Sequence, residues 1–358
     1  AGTLPIVWLE LSGRGIEGRP HITVDNLTII MCLIVGVVGS LICLYAIGYM
    51  KDYHRHHTEY RDRSSFFLSM LFVFLGGMFG LVFSENLSWM FFFWEITTLC
   101  SFLLIGYNQS EISIRNSFRA LWMNLLGGVG FSLAIVYSTL TLHAANIQDL
   151  VGFGTKGAAG VFVLVPVTLL AFAALTKSAQ LPFSGWLLGA MVAPTPTSAL
   201  LHSATMVKAG VYLLIRLSPL FYGNAAGTMV TVVGGFTFFA TSLFAISQSD
   251  GKKVLAYSTI SNLGLITACA GVGRYEAAWA AILLMIFHAV AKSLMFLSVG
   301  AVENSTGSRN IEDMHGLIVR LPKLAFVMII GIFGMFLAPF GMLIAKWAAL
   351  KSFVDSNS

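Results

Sequence analysis

Five ionisable side chains sit inside stretches apolar enough to cross a membrane. They are Glu95 in SWMFFFWEITTLCSFLLIGY, Lys177 in VPVTLLAFAALTKSAQ, Lys208 in SALLHSATMVKAGVYLLI, Lys292 in AAILLMIFHAVAKSLMFLSVG and Lys346 in FLAPFGMLIAKWAALK. A charge in hydrocarbon costs roughly 2.5–3.5 kcal/mol on insertion scales, so such residues face a bundle interior and mark ion paths. Spread over five segments and mostly lysine, they read as stations for protons.

Each has a chemistry of its own. Whether a buried lysine keeps its proton depends on the low dielectric around it and on any carboxylate nearby, so Glu95 near Lys177 would make a switchable pair. A static ion pair locking two helices is the plainer alternative, and such pairs stabilise poorly because desolvation offsets their attraction. His288 and Lys292 are four apart, which places them on one helix face about 6 Å apart along the axis. Imidazole titrates near neutral pH and can relay a proton between water and an amine. His202, Thr205 and Lys208 recur at intervals of three and predict a drifting polar stripe with room for bridging water; helix–helix hydrogen bonding is the plainer role for Thr205. For Lys346, near a span end, snorkelling to the interface competes with a place in the path.

Two prolines predict broken spans. Pro182 follows Lys177 by five residues, and Pro339 falls inside the last apolar stretch, where it removes a helical hydrogen bond and frees a carbonyl. Breaks at membrane depth persist only where protein or water satisfies the freed groups. Other motifs carry less. His54, His56 and His57 lie in a polar loop without zinc-site spacing. Gly127–Gly130 (GGVG) has no strand before it and no phosphate-loop lysine. Cys32, Cys43, Cys100 and Cys269 show no CxxC spacing and lie in apolar segments, which argues for packing and against disulfides, thiolate metal sites or iron–sulfur ligation.

The elements that must hold these residues are transmembrane helices. Of the 358 residues 57% are hydrophobic and 10% charged, with mean hydropathy +0.82, far from a soluble domain. Spans of about 20 residues are expected near 27–49, 65–83, 87–106, 119–142, 160–180, 196–216, 228–247, 254–273, 277–300 and 324–348. The expectation is an all-α polytopic membrane protein with one transmembrane domain (27–350) after an extracytoplasmic segment (1–26). The span at 254–273 is the most polar, which a buried place with close helix packing would explain. Alternating the spans puts eleven basic loop residues on one side, among them Lys51, Arg63, Lys252 and Arg309, and five on the other. By the positive-inside rule, loops 50–64, 107–118, 248–253 and 301–323 are cytoplasmic. The net charge of +5 thus reflects topology, and nucleic-acid binding is not expected. Ala1 at the start, and a tail close behind the last span, suggest a partial chain.

The run KSAQLPFSGWLLGAMVAPTPTSALLHSATMVKAGVYLL (177–214) resembles the antiporter-like proton-pumping subunits of respiratory complex I. FFFWEITTLCSFLLIGY (91–107), FHAVAKSLMFLSVG (287–300) and the last span agree with it. Together the similarity covers nearly all of 27–350, and the overall sequence is similar to the large L-type subunit, while APFGMLIAKWAALK (338–351) resembles the version in energy-converting membrane-bound hydrogenases. The resemblance implies two inverted-topology repeats. It also implies that Glu95 tunes the central Lys177, that Lys208 with His202 connects onward, that His288 with Lys292 forms the later half of the channel, and that Lys346 is the terminal lysine. It implies a proton-translocating subunit with no catalytic residue, metal, cofactor or redox centre of its own. Other membrane subunits and a peripheral redox arm, carrying iron–sulfur clusters with flavin or nickel–iron, would supply the driving reaction in a prokaryotic inner membrane. The span at 119–142 lacks the charged residues of L-type subunits, which favours a hydrogenase-type or cation-antiporter-type relative. The competing expectations are a subunit of a multi-subunit sodium/proton antiporter, with sodium as the second cation, and a structural membrane anchor.

Overall fold

A computed structural model describes residues 21–56, 61–155, 160–336 and 341–356. Among them the chain is helical, with isolated backbone bridges in place of strands. α1 runs from Asn26–Leu33 through a π-helical turn, Ile34–Val38, into Gly39–His56. α2 is Ser64–Phe83, α3 Leu87–Ile105, and α4 Glu111–Tyr137 with a π turn at Ser138–Leu142. After the short α5 (Ile147–Thr155) comes α6 (Gly160–Lys177), and then a short α7 (Gly185–Gly189). α8 (Thr195–Ala199) passes through a π turn, Leu200–Ala204, and a break at Thr205 into α9 (Met206–Leu217). α10 is Ala225–Ile246, α11 Gly251–Val272 and α12 Tyr275–Thr306. A short α13 (Leu317–Arg320) leads to α14 (Pro322–Phe336) and α15 (Met342–Ser356).

Eight of these helices are long and apolar enough to cross a membrane, and two shorter apolar ones, Phe162–Lys177 and Pro322–Phe336, complete the set of ten expected. The shorter two are the spans in which the sequence places its breaks. At 1.5 Å per residue neither spans ~30 Å of hydrocarbon alone. Several ends lie elsewhere than expected: α1 continues to His56, α4 begins at Glu111, α12 extends to Thr306, and Lys252 is already helical. The span expected at 324–348 is two helices, α14 and α15. Pro339 lies outside the described residues; Gly341, with φ +81°, opens the segment into α15.

Apolar side chains cover the outside. Phe236 and Phe239 on α10 and Leu133 on α4 are more than half exposed, as lipid-facing residues should be. Small residues hold the inside together. A Cβ on Gly234 would sit 2.6 Å from Gly264 O, and one on Gly264 would sit 2.6 Å from Phe238 N, so α10 and α11 touch backbone to backbone. That contact explains the polar composition of 254–273: Thr259, Asn262 and Thr267 are buried among helices and not against lipid.

Contacts between loops check the alternation of the spans. Ile22 pairs with Ser84 and Asn86 with Asn146, all expected on one face. Asp250 pairs with Asn310, and His54 Nε2 meets Tyr107 Oη at 2.9 Å, on the opposite face. At the first face Arg216 forks onto Asp25 at 2.8 and 3.1 Å, and also donates to Thr28 and Tyr212. Burial works to raise the Asp25 carboxyl, but Arg216 and the Thr28 N–H outweigh it and hold it below its ordinary range. Arg216 was expected as a loop charge; its side chain is only 8% exposed.

Candidate functional site

Lys177 is the last residue of α6. The helix stops there because Ala179 takes a left-handed φ of +54° and Pro182 follows in a turn. The interruption frees carbonyls, and protein groups take them up: Trp186 Nε1 donates to Thr176 O at 3.0 Å, and Gln180 N to Leu175 O at 3.0 Å. Pro182 therefore stands beside the break, as the sequence indicates. The fully buried Lys177 Nζ points across to α3, where it donates to Trp94 O at 2.8 Å and to Thr98 Oγ1 at 2.7 Å. The Trp94 ring lies 5.0 Å from the ammonium and adds a cation–π contact.

Glu95 sits on the same helix as those acceptors, half-buried. It forms no ion pair with Lys177 within 4.0 Å, so the static lock is not what the structure contains. The Thr98 hydroxyl interacts with both the Glu95 carboxylate and the Lys177 ammonium. Glu95 Oε1 is buried with no hydrogen-bond partner and faces α4 at Gly128, where a Cβ would lie 2.5 Å away. The neighbouring Gly127 faces Thr176 on α6 in the same manner. The GGVG motif thus lets α4 lie close against both partners of this cluster.

A second cluster gathers on α9, α11, α12 and α15. Thr205, at φ −130° and ψ −95°, ends the π turn and frees the carbonyl of Ser203, which accepts from Lys208 Nζ. The same ammonium lies 3.3 Å from His288 Nδ1 on α12. A π turn and the break at Thr205 separate His202 from Lys208, so the three residues do not lie on one regular helix, although His202 and Lys208 both face α12. His202 packs on Phe296 of α12 with ring centroids 5.0 Å apart, and Thr205 bonds back to Leu200 O. His288 and Lys292 do share the buried face of α12, while Val290 between them is 57% exposed. Their partners differ. Lys292 Nζ donates to Ser258 Oγ at 2.7 Å and Leu255 O at 3.4 Å on α11, whereas His288 meets Lys208. Lys208, Lys292, His202 and Lys346 all lie near enough to the His288 ring to act on its protonation. Lys346, on α15, is half-buried, 5.4 Å from the Phe336 ring, and its field also reaches Lys292.

The two clusters receive their lysines alike. Lys177 of α6 meets α3, and Lys292 of α12 meets α11, each through one backbone carbonyl and one Ser or Thr hydroxyl a turn further along, at Trp94 with Thr98 and at Leu255 with Ser258. Side-chain hydroxyls suit this task because they both accept from an ammonium and donate onward. No direct contact joins Lys177 to Lys208. The helices that carry them touch at Gly210, where a Cβ would meet Ser178 N at 2.9 Å.

Three features escaped the sequence. Lys252 counts there as a loop charge, yet it is fully buried and lies 2.7 Å from Glu303 Oε2. Glu303 also accepts from Arg309 Nε. The acceptors Thr98 and Ser258 look like ordinary packing residues in the sequence, as does the glycine pair at 127–128. Among the described residues no three His, Cys, Asp or Glu gather to hold a metal ion, and the cysteines are free and buried.

A bundle of this kind, with lysines buried on interrupted helices, is an integral multi-pass membrane protein. Residues 84–358 match the family model described as NADH:quinone oxidoreductase/Mrp antiporter, transmembrane region, and residues 8–61 that of NADH-ubiquinone oxidoreductase (complex I), chain 5 N-terminus. The chain belongs to this family of antiporter-like membrane subunits. It is 37% identical over 313 residues to the Na(+)/H(+) antiporter subunit A1 of Staphylococcus aureus strain JH9, and equally to that of strain Newman. The match covers 83% of this chain and 38% of each relative, so the chain spans under two-fifths of their length. A solved Mrp complex from Dietzia sp. DQ12-45-1b contains a chain 31% identical, with TM-score 0.75, over 94% of this chain and 38% of that one. The membrane-bound sulfane sulfur reductase, an archaeal respiratory membrane complex, shares the fold at TM-score 0.81 and 22% identity, over 92% and 66%.

Proposed function

We propose that this chain is the proton-conducting membrane subunit of a multi-subunit cation/proton antiporter in a prokaryotic cell membrane. The contact between the fully buried Lys208 ammonium and His288 Nδ1, 3.3 Å apart across two helices, carries the reading. It joins two groups that can each hold or release a proton, with Lys292 one turn further along α12. Glu95 and Lys177 act as the first station, linked through Thr98, and Lys346 as the last. Pro182 stands beside the interruption after Lys177, where the path is hydrated. A purely structural anchor gains nothing from burying Lys177, Lys208 and Lys292 completely, since each costs desolvation that apolar residues would avoid.

The likeness to sodium/proton antiporter subunits favours cation exchange as the driving process, with sodium the counter-ion and further membrane subunits as partners. The cytoplasmic side is the one with the basic loops. The second reading is redox-driven pumping beside subunits that carry iron–sulfur clusters with flavin or nickel–iron. It draws on the complex I chain 5 match and on the fold shared with the sulfane sulfur reductase. Identifying the subunits that co-purify from native membrane decides between them. Small membrane proteins without redox centres support the antiporter, and a peripheral cluster-bearing arm would overturn it.

A further inference from the structure

The proton path described above lacks a connection to the face that carries loops 248–253 and 301–323. Two sets of residues, unused so far, lie between that face and the Lys208–His288 cluster. The first is the group around Glu303. Its carboxylate is held between Lys252 Nζ, at 2.7 Å, and Arg309 Nε. Lys252 is 1%, Glu303 20% and Arg309 38% exposed, so the group meets solvent at Arg309, with the carboxylate just behind it. Arg309 Nη1 also reaches Met191 O at 3.4 Å, which ties the group to the segment between α7 and α8. Tyr49 of α1 stands beside it, within the field of Glu303, and accepts from Thr195 N at 3.4 Å.

The second set follows inward from Thr195. Thr195 Oγ1, Thr197 Oγ1, Ser198 Oγ and both ring nitrogens of His202 are buried and have no protein hydrogen-bond partner. His288 Nε2 is in the same condition. Buried polar atoms are nearly always satisfied by protein or ordered water, and such waters need several polar neighbours in one place. Thr195, Ser198 and His202 fall at successive intervals of three and four along α8 and its π turn, so they follow one side of it. The upper end of this line abuts Gly300 of α12, where a Cβ would meet Thr195 Oγ1 at 2.5 Å. Gly300 lies one turn before Glu303. The lower end, His202, packs on Phe296, one turn from Lys292.

We propose that Glu303, clasped by Lys252 and Arg309, is the gate of a hydrated proton route that runs along Thr195, Ser198 and His202 to the Lys208–His288 cluster. This rests on the proton-conducting reading above, and it adds the access route and the group that controls it. Glu303 exchanges protons with the solution, and its ion pairs with two cations keep the route closed while it is charged. Opening requires that Lys252 or Arg309 let go, which moves the segment at Met191 with them.

The test separates access from transport. Ser198→Cys is introduced into the full complex in membrane vesicles of both orientations. A membrane-impermeant methanethiosulfonate ammonium reagent is then added, with the native sequence, whose cysteines are buried, as background. Labelling is expected only from the face with loops 248–253 and 301–323, and at least fivefold faster when combined with Glu303→Gln. Glu303→Asp keeps the charge and should label no more than about twofold faster, which guards against an assembly defect in the amide variant. Labelling from the other face, none above background, or a rate indifferent to Glu303→Gln would overturn the proposal. Labelling as expected in a complex that moves no protons would leave the route standing and refute the function proposed above.

Discussion

Replacing Gly128 by alanine perturbs Glu95 without removing any charged or hydrogen-bonding group. The added methyl would lie 2.5 Å from Glu95 Oε1, and ordinary contact begins near 3.4 Å, so the oxygen must retreat by about 0.9 Å. The clash is with the free end of a flexible side chain, so the cost in stability should stay under about 1 kcal/mol, at the low end for overpacking. The electrostatic consequence has a ceiling. The Glu95 and Lys177 charges are more than 4.0 Å apart. At an effective dielectric of ~20, a shift of ~1 Å from that limit alters their attraction by at most about 0.8 kcal/mol, roughly a fourfold change in an equilibrium. Glu95→Gln removes the attraction altogether, up to about 4 kcal/mol on the same basis. Proton uptake by the complex in inverted membrane vesicles, normalised to assembled complex, should therefore change within about fourfold for Gly128→Ala. It should fall at least tenfold for Glu95→Gln. Equal rates for both variants, or a native rate for Glu95→Gln, would refute the tuning of Lys177 through space. Gly127→Ala serves as the control, because its methyl meets the Thr176 side chain of α6 and should cost stability instead.

Lys177→Arg should lose most proton uptake although charge and hydrogen-bond donors remain, since guanidinium does not release its proton; uptake near the native rate would contradict a proton station there. Asp25→Ala removes both a helix N-cap to Thr28 N and the partner of Arg216, and should lower apparent unfolding stability by roughly 2–4 kcal/mol, discounted because Asp25 is partly exposed. The Asp25 carboxyl lies below its unfolded value of 3.8, so its contribution is fully present above that pH and fades as pH falls through the depressed folded value. A thermal melt in detergent at neutral pH reads the first effect. Melts at successively lower pH below 3.8 should show the gap between the native protein and Asp25→Ala narrowing; a gap that does not narrow as pH falls would contradict the ion-pair account.

The membrane class, the ten apolar helices and their alternation were legible because apolar length is a strong signal and because loop charges accumulate on one side. The buried lysines were legible for the same reason: a charge in an apolar run is visible in one dimension. Their partners were not. Nothing in the spacing of Lys208 and His288, eighty residues apart, announces that they touch, and local periodicity instead grouped Lys208 with His202 and Thr205. That periodicity does not show the π turn at Leu200–Ala204 or the break at Thr205, which no proline marks. Lys252 was hidden by its position at a helix start, where a basic residue reads as a loop charge. Moving it and Arg216 out of the loop tally leaves ten basic residues against four, so the topology argument is unaffected. Glycines 127 and 128 carried a signal of their own, since paired small residues in an apolar helix indicate close approach; which residues approach is a tertiary fact.

Proton uptake and thermal stability of Lys208→Met, Lys292→Met and the double variant, each in assembled complex, test the central claim most directly. Stations in series act as a unit and their effects do not add. The account predicts that each single variant loses most uptake, that the double is no worse than the poorer single, and that all three melt close to the native protein or above it. Intact uptake per assembled complex with losses of stability that simply add would show the lysines to be separate structural contacts, and would contradict the path.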